Sequence, residues 1–169
     1  LPIQMEEAAK QLYARIRAGI VVKGLHDLAV RFSRCCNPVP GDEIVGFVTR
    51  GRGVSIHRTD CINVINLPED ERGRLIDAEW QVAENPTSTE QYSTEIQIFA
   101  NNRIGLFADI SKVFTEKQID ITSMNVRTSK QGRATIIMTF DIHGTEELNR
   151  ITDKIRQIDG VLDIQRTTG

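Results

Sequence analysis

From Thr94 onward, apolar positions recur with two clear periods. TEIQIFA alternates, with Ile96 and Ile98 on one side, and predicts a strand. GLFADISKVFTEK sets Leu106, Ile110, Val113 and Phe114 on one face of a helix. IDITSMNVRTS is rich in strand formers, and KQG reads as a turn. RATIIMTFDIHG then alternates Ala134, Ile136, Met138, Phe140 and Ile142, the signature of a strand with one face on a core. Thr145 is placed to cap a second helix. Glu146 and Glu147 suit its positive end, and Leu148, Ile151, Ile155 and Ile158 suit its inner face. Gly160 predicts the stop, and VLDIQRT a last strand. The order βαββαβ is that of a ferredoxin-like fold.

The first half is less regular. Met5, Ala9, Leu12 and Ile16 predict a helix over 4–17. GIVVKG reads as a strand, and LHDLAVRFS puts Leu25, Leu28, Ala29 and Phe32 on one helical face. EIVGFVT and GVSIHR predict strands joined through RGRG, where glycine permits positive φ. LIDAEW predicts another strand. AENPTSTEQ has no period and reads as a linker. The expected organisation is a connecting helix (1–18), a small α+β module (19–82), a linker (83–91) and the βαββαβ domain (92–169). The fold class is α+β.

A chain of 169 residues allows one ordinary domain or two small ones. Its formal charge of −2 excludes a globally basic nucleic-acid binder but leaves room for a local patch. No apolar run approaches the roughly 18 residues of a membrane span, and no signal-peptide pattern opens the chain. Three cysteines confined to 35–61 argue against a secreted disulfide scaffold and for a reducing, cytoplasmic setting. Leu1-Pro2 with no initiator Met predicts a fragment of a longer protein.

Candidate chemistry concentrates in RCCNPVPGDEIVGF and HRTDC. Cys35, Cys36, His57 and Cys61 form a chemically complete zinc set. A helix beginning near residue 57 would put His57 and Cys61 on one face. Adjacent cysteines, however, are not the C-x₂₋₄-C knuckle that brings two thiolates onto one metal, so spacing favours free thiols packed as small hydrophobes. A vicinal disulfide and a catalytic Cys–His pair are the other readings; the first is strained and the second lacks an orienting third group. Arg31, Arg34, Arg50, Arg52 and Arg58 surround the cysteines with only Asp42 and Glu43 between. Such a patch meets RNA phosphates or is a solvated face. In ANNRIGLFADI, the helix start at Gly105 and Leu106 offers N–H groups to a carboxylate, and Asn102 and Asp120 offer acceptors to an amino group. Alternatively Gly105 makes the turn and Asn102 caps the helix. No phosphate loop of the G-x-x-x-x-G-K-[ST] type and no His/Asp cluster suited to a metal hydrolase occurs, so the chain itself is expected to be non-catalytic.

Residues 34–61, RCCNPVPGDEIVGFVTRGRGVSIHRTDC, resemble the conserved-cysteine module, called RIS or zinc-finger domain, of the long RelA/SpoT-type enzymes. These make and hydrolyse (p)ppGpp in the stringent response. Residues 92–169 resemble the ACT domain that follows that module. The resemblance implies that catalysis belongs to upstream GTP pyrophosphokinase and hydrolase domains. It implies a regulatory region that contacts ribosomal RNA and tRNA, and maps the RNA-contact candidates Arg34, Arg50, Arg52 and Arg58 onto that role. It also maps zinc onto Cys35, Cys36, His57 and Cys61.

Amino-acid-binding ACT domains resemble this chain at Asn102-Arg103-Ile104-Gly105, with Ile104 where Pro is familiar. Asp120 matches the polar residue opening the second strand of a partner chain. Ala100 stands where serine-binding relatives carry His, so an apolar effector is expected: valine, leucine or isoleucine. Its expected ligands are Asn102, Arg103, Ile104, Gly105, Leu106, Asp120 and Ile121, with Ile119 adding apolar surface, at the seam of a homodimer formed through 92–169. An ACT module of another metabolic enzyme is the competing function, and the cysteine module argues against it. The order βαββαβ also suits an RNA-binding RRM, but Phe140 alone does not supply the paired aromatics that stack bases.

Overall fold

The computed structural model describes residues 13–16, 20–23, 29–51, 53–80 and 90–168. The chain divides into two compact units. One comprises Leu1–Pro38, Asp42–Glu90 and Thr168–Gly169; the other comprises Val39–Gly41 and Gln91–Thr167. The linker expected over 83–91 falls almost wholly outside the described residues.

The first unit is built on strands β1 (Tyr13–Ile16), β2 (Ile20–Lys23), β3 (Val30–Phe32), β4 (Ile44–Thr49), β5 (Gly53–Arg58) and β6 (Leu75–Trp80), with a one-turn helix α1 (Ile62–Ile65). They form one sheet in the order β1-β2-β6-β4-β5-β3. The hairpin β4–β5 is antiparallel from Ile44↔Arg58 to Thr49↔Gly53, as the sequence predicts. Its core is Ile20, Val22, Ile44, Val54, Ile56 and Ala78. Phe32 and Trp80 stack at its border, centroids 5.6 Å apart.

Two predicted helices are corrected. Within the helix expected over 4–17, residues 13–16 are a strand paired antiparallel to β2, and the rest lies outside the described residues. Within the helix expected near 25–32, Val30–Phe32 is a strand running parallel to β5, and residues 24–28 lie outside the described residues. The second segment is decided by a partner distant in sequence, where non-local pairing overrides a short amphipathic period, whereas the first pairs back on the neighbouring β2. The Val54 N–H, for example, donates to the Ala29 carbonyl at 2.9 Å.

The second unit holds β7 (Tyr92–Asn101), α2 (Leu106–Glu116), β8 (Ile121–Thr128), β9 (Arg133–Ile142), α3 (Thr145–Arg156) and β10 (Val161–Arg166). The order is βαββαβ, with a four-stranded antiparallel sheet β10-β7-β9-β8. Every second residue of β9 is buried, as its alternation requires. Ile96, Ile98, Leu106, Ile110, Ile136, Phe140, Leu148 and Ile151 belong to one core, in which Phe114 meets Phe140 edge-on at 4.9 Å. The expected cap is corrected. Gly144 holds the N-cap of α3, Thr145 is its first residue, and no side chain caps it. Glu147 reaches back instead, accepting the His143 N–H at 3.2 Å. No helix among the described residues is long and apolar enough to cross a membrane.

Candidate functional site

The cysteine cluster is assembled by β3 and β5 lying side by side. The chain leaves β3 with the Ser33 N–H on the Ile56 carbonyl (2.9 Å), then closes a turn through Asn37 N–H to the Ser33 carbonyl (3.0 Å). Asn37 takes φ +46, a conformation that Asn tolerates better than most residues. Cys35 and Cys36 sit in that turn. His57 is the penultimate residue of β5, and Cys61 is the N-cap of α1. GVSIHR is the predicted strand, and a strand, a turn and a helix start, not one helix from residue 57, carry His57 to Cys61.

Cys35 Sγ lies 3.4 Å from His57 Nδ1, 3.5 Å from Cys61 Sγ and 4.0 Å from Cys36 Sγ. Cys36 Sγ lies 3.9 Å from His57 Nδ1. All four donor atoms fall within 4.8 Å of one another. Ligands about 2.3 Å from a tetrahedral zinc stand about 3.8 Å apart, so this set has the right span for one ion. Although adjacent in sequence, both Cys35 and Cys36 bring their sulfurs within 4 Å of His57 Nδ1. Burial pushes the Cys36 thiol far up, against the Arg58 N–H donated to its sulfur at 3.3 Å. Burial likewise raises Cys61 and lowers His57, favouring neutral forms of both. Cys36 and Cys61 also pack with Val64 in a small apolar cluster. No carboxylate holds His57 among the described residues; its Nε2 meets Ser33 Oγ at 3.0 Å. The sequence reading missed Ser33, whose partner is 24 residues away.

Of the RNA-contact candidates, Arg34 and Arg50 are exposed, and Arg52 lies outside the described residues. Arg58 is corrected as a surface contact: it is 6% exposed, ion-paired with Asp60, and donates to the Cys36 carbonyl.

In the second unit, β7 runs through a tight loop into α2. Gly105 is the N-cap with φ +82, and no side chain caps the helix. Asn102 is therefore no cap; it is exposed, with no side-chain partner among the described residues. The Gly105 and Phe107 N–H groups likewise have no acceptor among the described residues. Arg103 is committed to the loop itself, through the Asp159 carbonyl (2.8 Å) and the Asp109 carboxylate (2.7 Å). Ile104 is fully exposed, whereas Leu106 is sealed in the core. Asp120 is exposed at the entrance to β8, beside half-buried Ile119 and Ile121. β8 is an edge strand whose register sets Met124 opposite Met138 and Val126 opposite Ile136. Met138 and Ile136 are fully buried, yet Met124 and Val126 on the same face are 37% and 38% exposed.

Residues 20–81 match the RelA/SpoT RIS domain, and residues 88–166 match the ACT domain. The chain is similar to the GTP pyrophosphokinase of Streptomyces coelicolor, 40% identical over 150 residues, which is 89% of this chain and 17% of that protein. It is 34% identical over 168 residues to the GTP pyrophosphokinase of Escherichia coli, covering 99% of this chain and 22% of that one. It is 36% identical over 150 residues to the bifunctional (p)ppGpp synthase/hydrolase RelA of Mycobacterium tuberculosis, covering 89% and 20%. The chain thus spans 17 to 22% of the length of these relatives.

Proposed function

The chain belongs to the RelA/SpoT-type family of GTP pyrophosphokinases, of which it carries the RIS and ACT domains, and from that premise we propose that it regulates (p)ppGpp synthesis and hydrolysis performed by upstream domains of the same cytoplasmic protein. In this reading the RIS domain meets ribosomal RNA and tRNA phosphates through Arg34, Arg50 and Arg52. The ACT domain binds valine, leucine or isoleucine and reports amino-acid supply. The carrying observation is the uncapped start of α2, where the Gly105 and Phe107 N–H groups and the Asn102 side chain have no partners among the described residues. These donors suit a carboxylate. The Asn102 carbonyl and, from a second copy, the Asp120 carboxylate suit an ammonium group. Arg103, tied to Asp159 and Asp109, holds the loop rather than touching the ligand.

Titrating the chain with each amino acid in a calorimeter tests this. Saturable heat is expected for the branched-chain amino acids, reduced by Asp120→Ala. No heat with any of the three would overturn it.

A second reading concerns the cysteine cluster, favoured by the four donors within 4.8 Å. Cys35, Cys36, His57 and Cys61 would hold one zinc, which when bound supplies a cross-link between the β3 turn and the start of α1. Chain-to-metal stoichiometry by elemental analysis decides it.

A further inference from the structure

Beside the cysteine cluster, on its β3 side, lies an open cavity of about 580 Å³ lined by Arg31, Ser33, Arg34, Ser55 and His57, with Phe32 along it. We infer that this cavity binds the terminal phosphate of a small molecule. The inference is separate from the amino-acid reading; it shares Arg34 with the ribosome reading but takes a different ligand, a terminal phosphate rather than an RNA chain.

The donors are arranged by strand pairing. β3 runs parallel to β5 with Arg31 opposite Ser55, and Arg31 Nε donates to Ser55 Oγ at 3.3 Å. That contact steadies the guanidinium and leaves its two terminal nitrogens without a partner among the described residues. Ser55 is only 6% exposed, and its own hydroxyl hydrogen has no acceptor among the described residues. A buried hydroxyl in that condition awaits an acceptor.

Ser33 is primed in the same sense. His57 Nδ1 faces the Cys35 and Cys36 sulfurs, where one tautomer accepts from a thiol and the same nitrogen can ligate a metal. In both states the imidazole hydrogen sits on Nε2 and donates to Ser33 Oγ. The Ser33 hydroxyl hydrogen is then available to the cavity. Arg34 is exposed and has no carboxylate partner among the described residues.

The cavity therefore offers two guanidinium groups and two hydroxyl donors, with no carboxylate in its lining. A carboxylate has two oxygens to offer such a set. A terminal phosphate has three, carries more charge, and matches the guanidinium fork. A phosphodiester within RNA must lead the chain out of the cavity at both ends, whereas a terminal phosphate enters end-on.

The test is amide-detected NMR of the whole 169-residue chain, titrated with inorganic phosphate and pyrophosphate at ionic strength held with chloride. Saturable shifts confined to Ser33, Arg34, Ser55 and their neighbours are expected. Arg34→Gln, which removes no contact within the protein, should weaken pyrophosphate binding about tenfold, and Arg31→Gln combined with it further. Three results would overturn the inference: no saturable shift, equal affinity in Arg34→Gln and the original chain, or movement of these amides by a short RNA but not by pyrophosphate.

Discussion

Cys35 Sγ lies 3.5 Å from Cys61 Sγ, although 26 residues separate them in sequence. Two protonated thiols at that separation gain little, since S–H is a weak donor. Two thiolates would repel one another at that distance. A divalent cation between them removes the repulsion and makes the separation useful.

Protein prepared without chelators is accordingly expected to carry about one zinc per chain. Chelation should lower the melting temperature, and Cys61→Ala should abolish the response to chelator. Metal-free protein that melts at the same temperature with and without chelator would leave the cysteines as packing residues alone.

The metal-free chain has a pH dependence of definite sign. His57 is held below its ordinary value by burial, so the unfolded chain takes up that proton first. Stability should fall as pH drops through and below about 6.5. Burial raises Cys36 and Cys61, so the unfolded chain ionises first on the alkaline side. Stability should fall again above about pH 9. Denaturant melts across this range on chelated protein check both limbs, and the acid limb should vanish in His57→Ala.

How much of this was legible varied with the range of the contacts. The alternation of β9 and the apolar faces of α2 and α3 are local patterns, and each element stands where its period put it. The segments at 13–16 and 30–32 carry a few apolar residues at helical spacing, yet the first pairs back on the nearby β2 and the second runs beside β5, 24 residues on. Nothing within a short window distinguishes the two outcomes. The cysteine site was legible as a set of residue types but not as a geometry. Its closeness depends on the parallel pairing of β3 with β5, which brings the Cys35–Cys36 turn to the end of the strand carrying His57. The exposed stripe of Met124 and Val126 also escaped notice, because a β-rich segment does not announce that it is an edge.

Gly53 and Gly51 separate backbone strain from collision. Both have positive φ, +90 and +73. A Cβ on Gly53 would stand 2.0 Å from the Ala29 carbonyl oxygen, the acceptor that joins β3 to β5; one on Gly51 would meet nothing within 4 Å. Gly51→Ala is expected to cost about 1–2 kcal/mol, the left-handed penalty alone. Gly53→Ala should cost more, about 3 kcal/mol or above, because the β3 pairing must also shift. Equal urea midpoints for the two variants would refute the distinction.

Thr94 is fully buried on β7, opposite Phe140, and its hydroxyl has no partner among the described residues. An unmet buried hydroxyl costs about 1–3 kcal/mol. Thr94→Val keeps the shape and removes the polar atom, so it is expected to raise the denaturation midpoint. A lower midpoint would mean that the hydroxyl is satisfied in solution.

The most consequential prediction joins the edge strand to the effector. Every residue of β8 after Ile121 is exposed, and Met124 and Val126, on the core side of the sheet, are still 37% and 38% exposed. An open edge with apolar residues invites pairing, and a second copy brings a strand of identical length and pattern. In the proposed two-fold arrangement the Asp120 end of one β8 would reach the Asn102–Gly105 loop of its partner and complete the amino-acid site. Val126→Lys would set like charges near one another at such a seam while leaving the fold intact, since Val126 is already partly in water. Sedimentation should show the original chain shifting to dimer as valine or isoleucine is added, by linkage between ligand and association. The variant should remain monomeric, with an unchanged melting temperature in the absence of ligand and at least about tenfold weaker amino-acid binding. If the monomeric variant binds as tightly as the original, the site is complete within one chain and the seam is not where the effector sits.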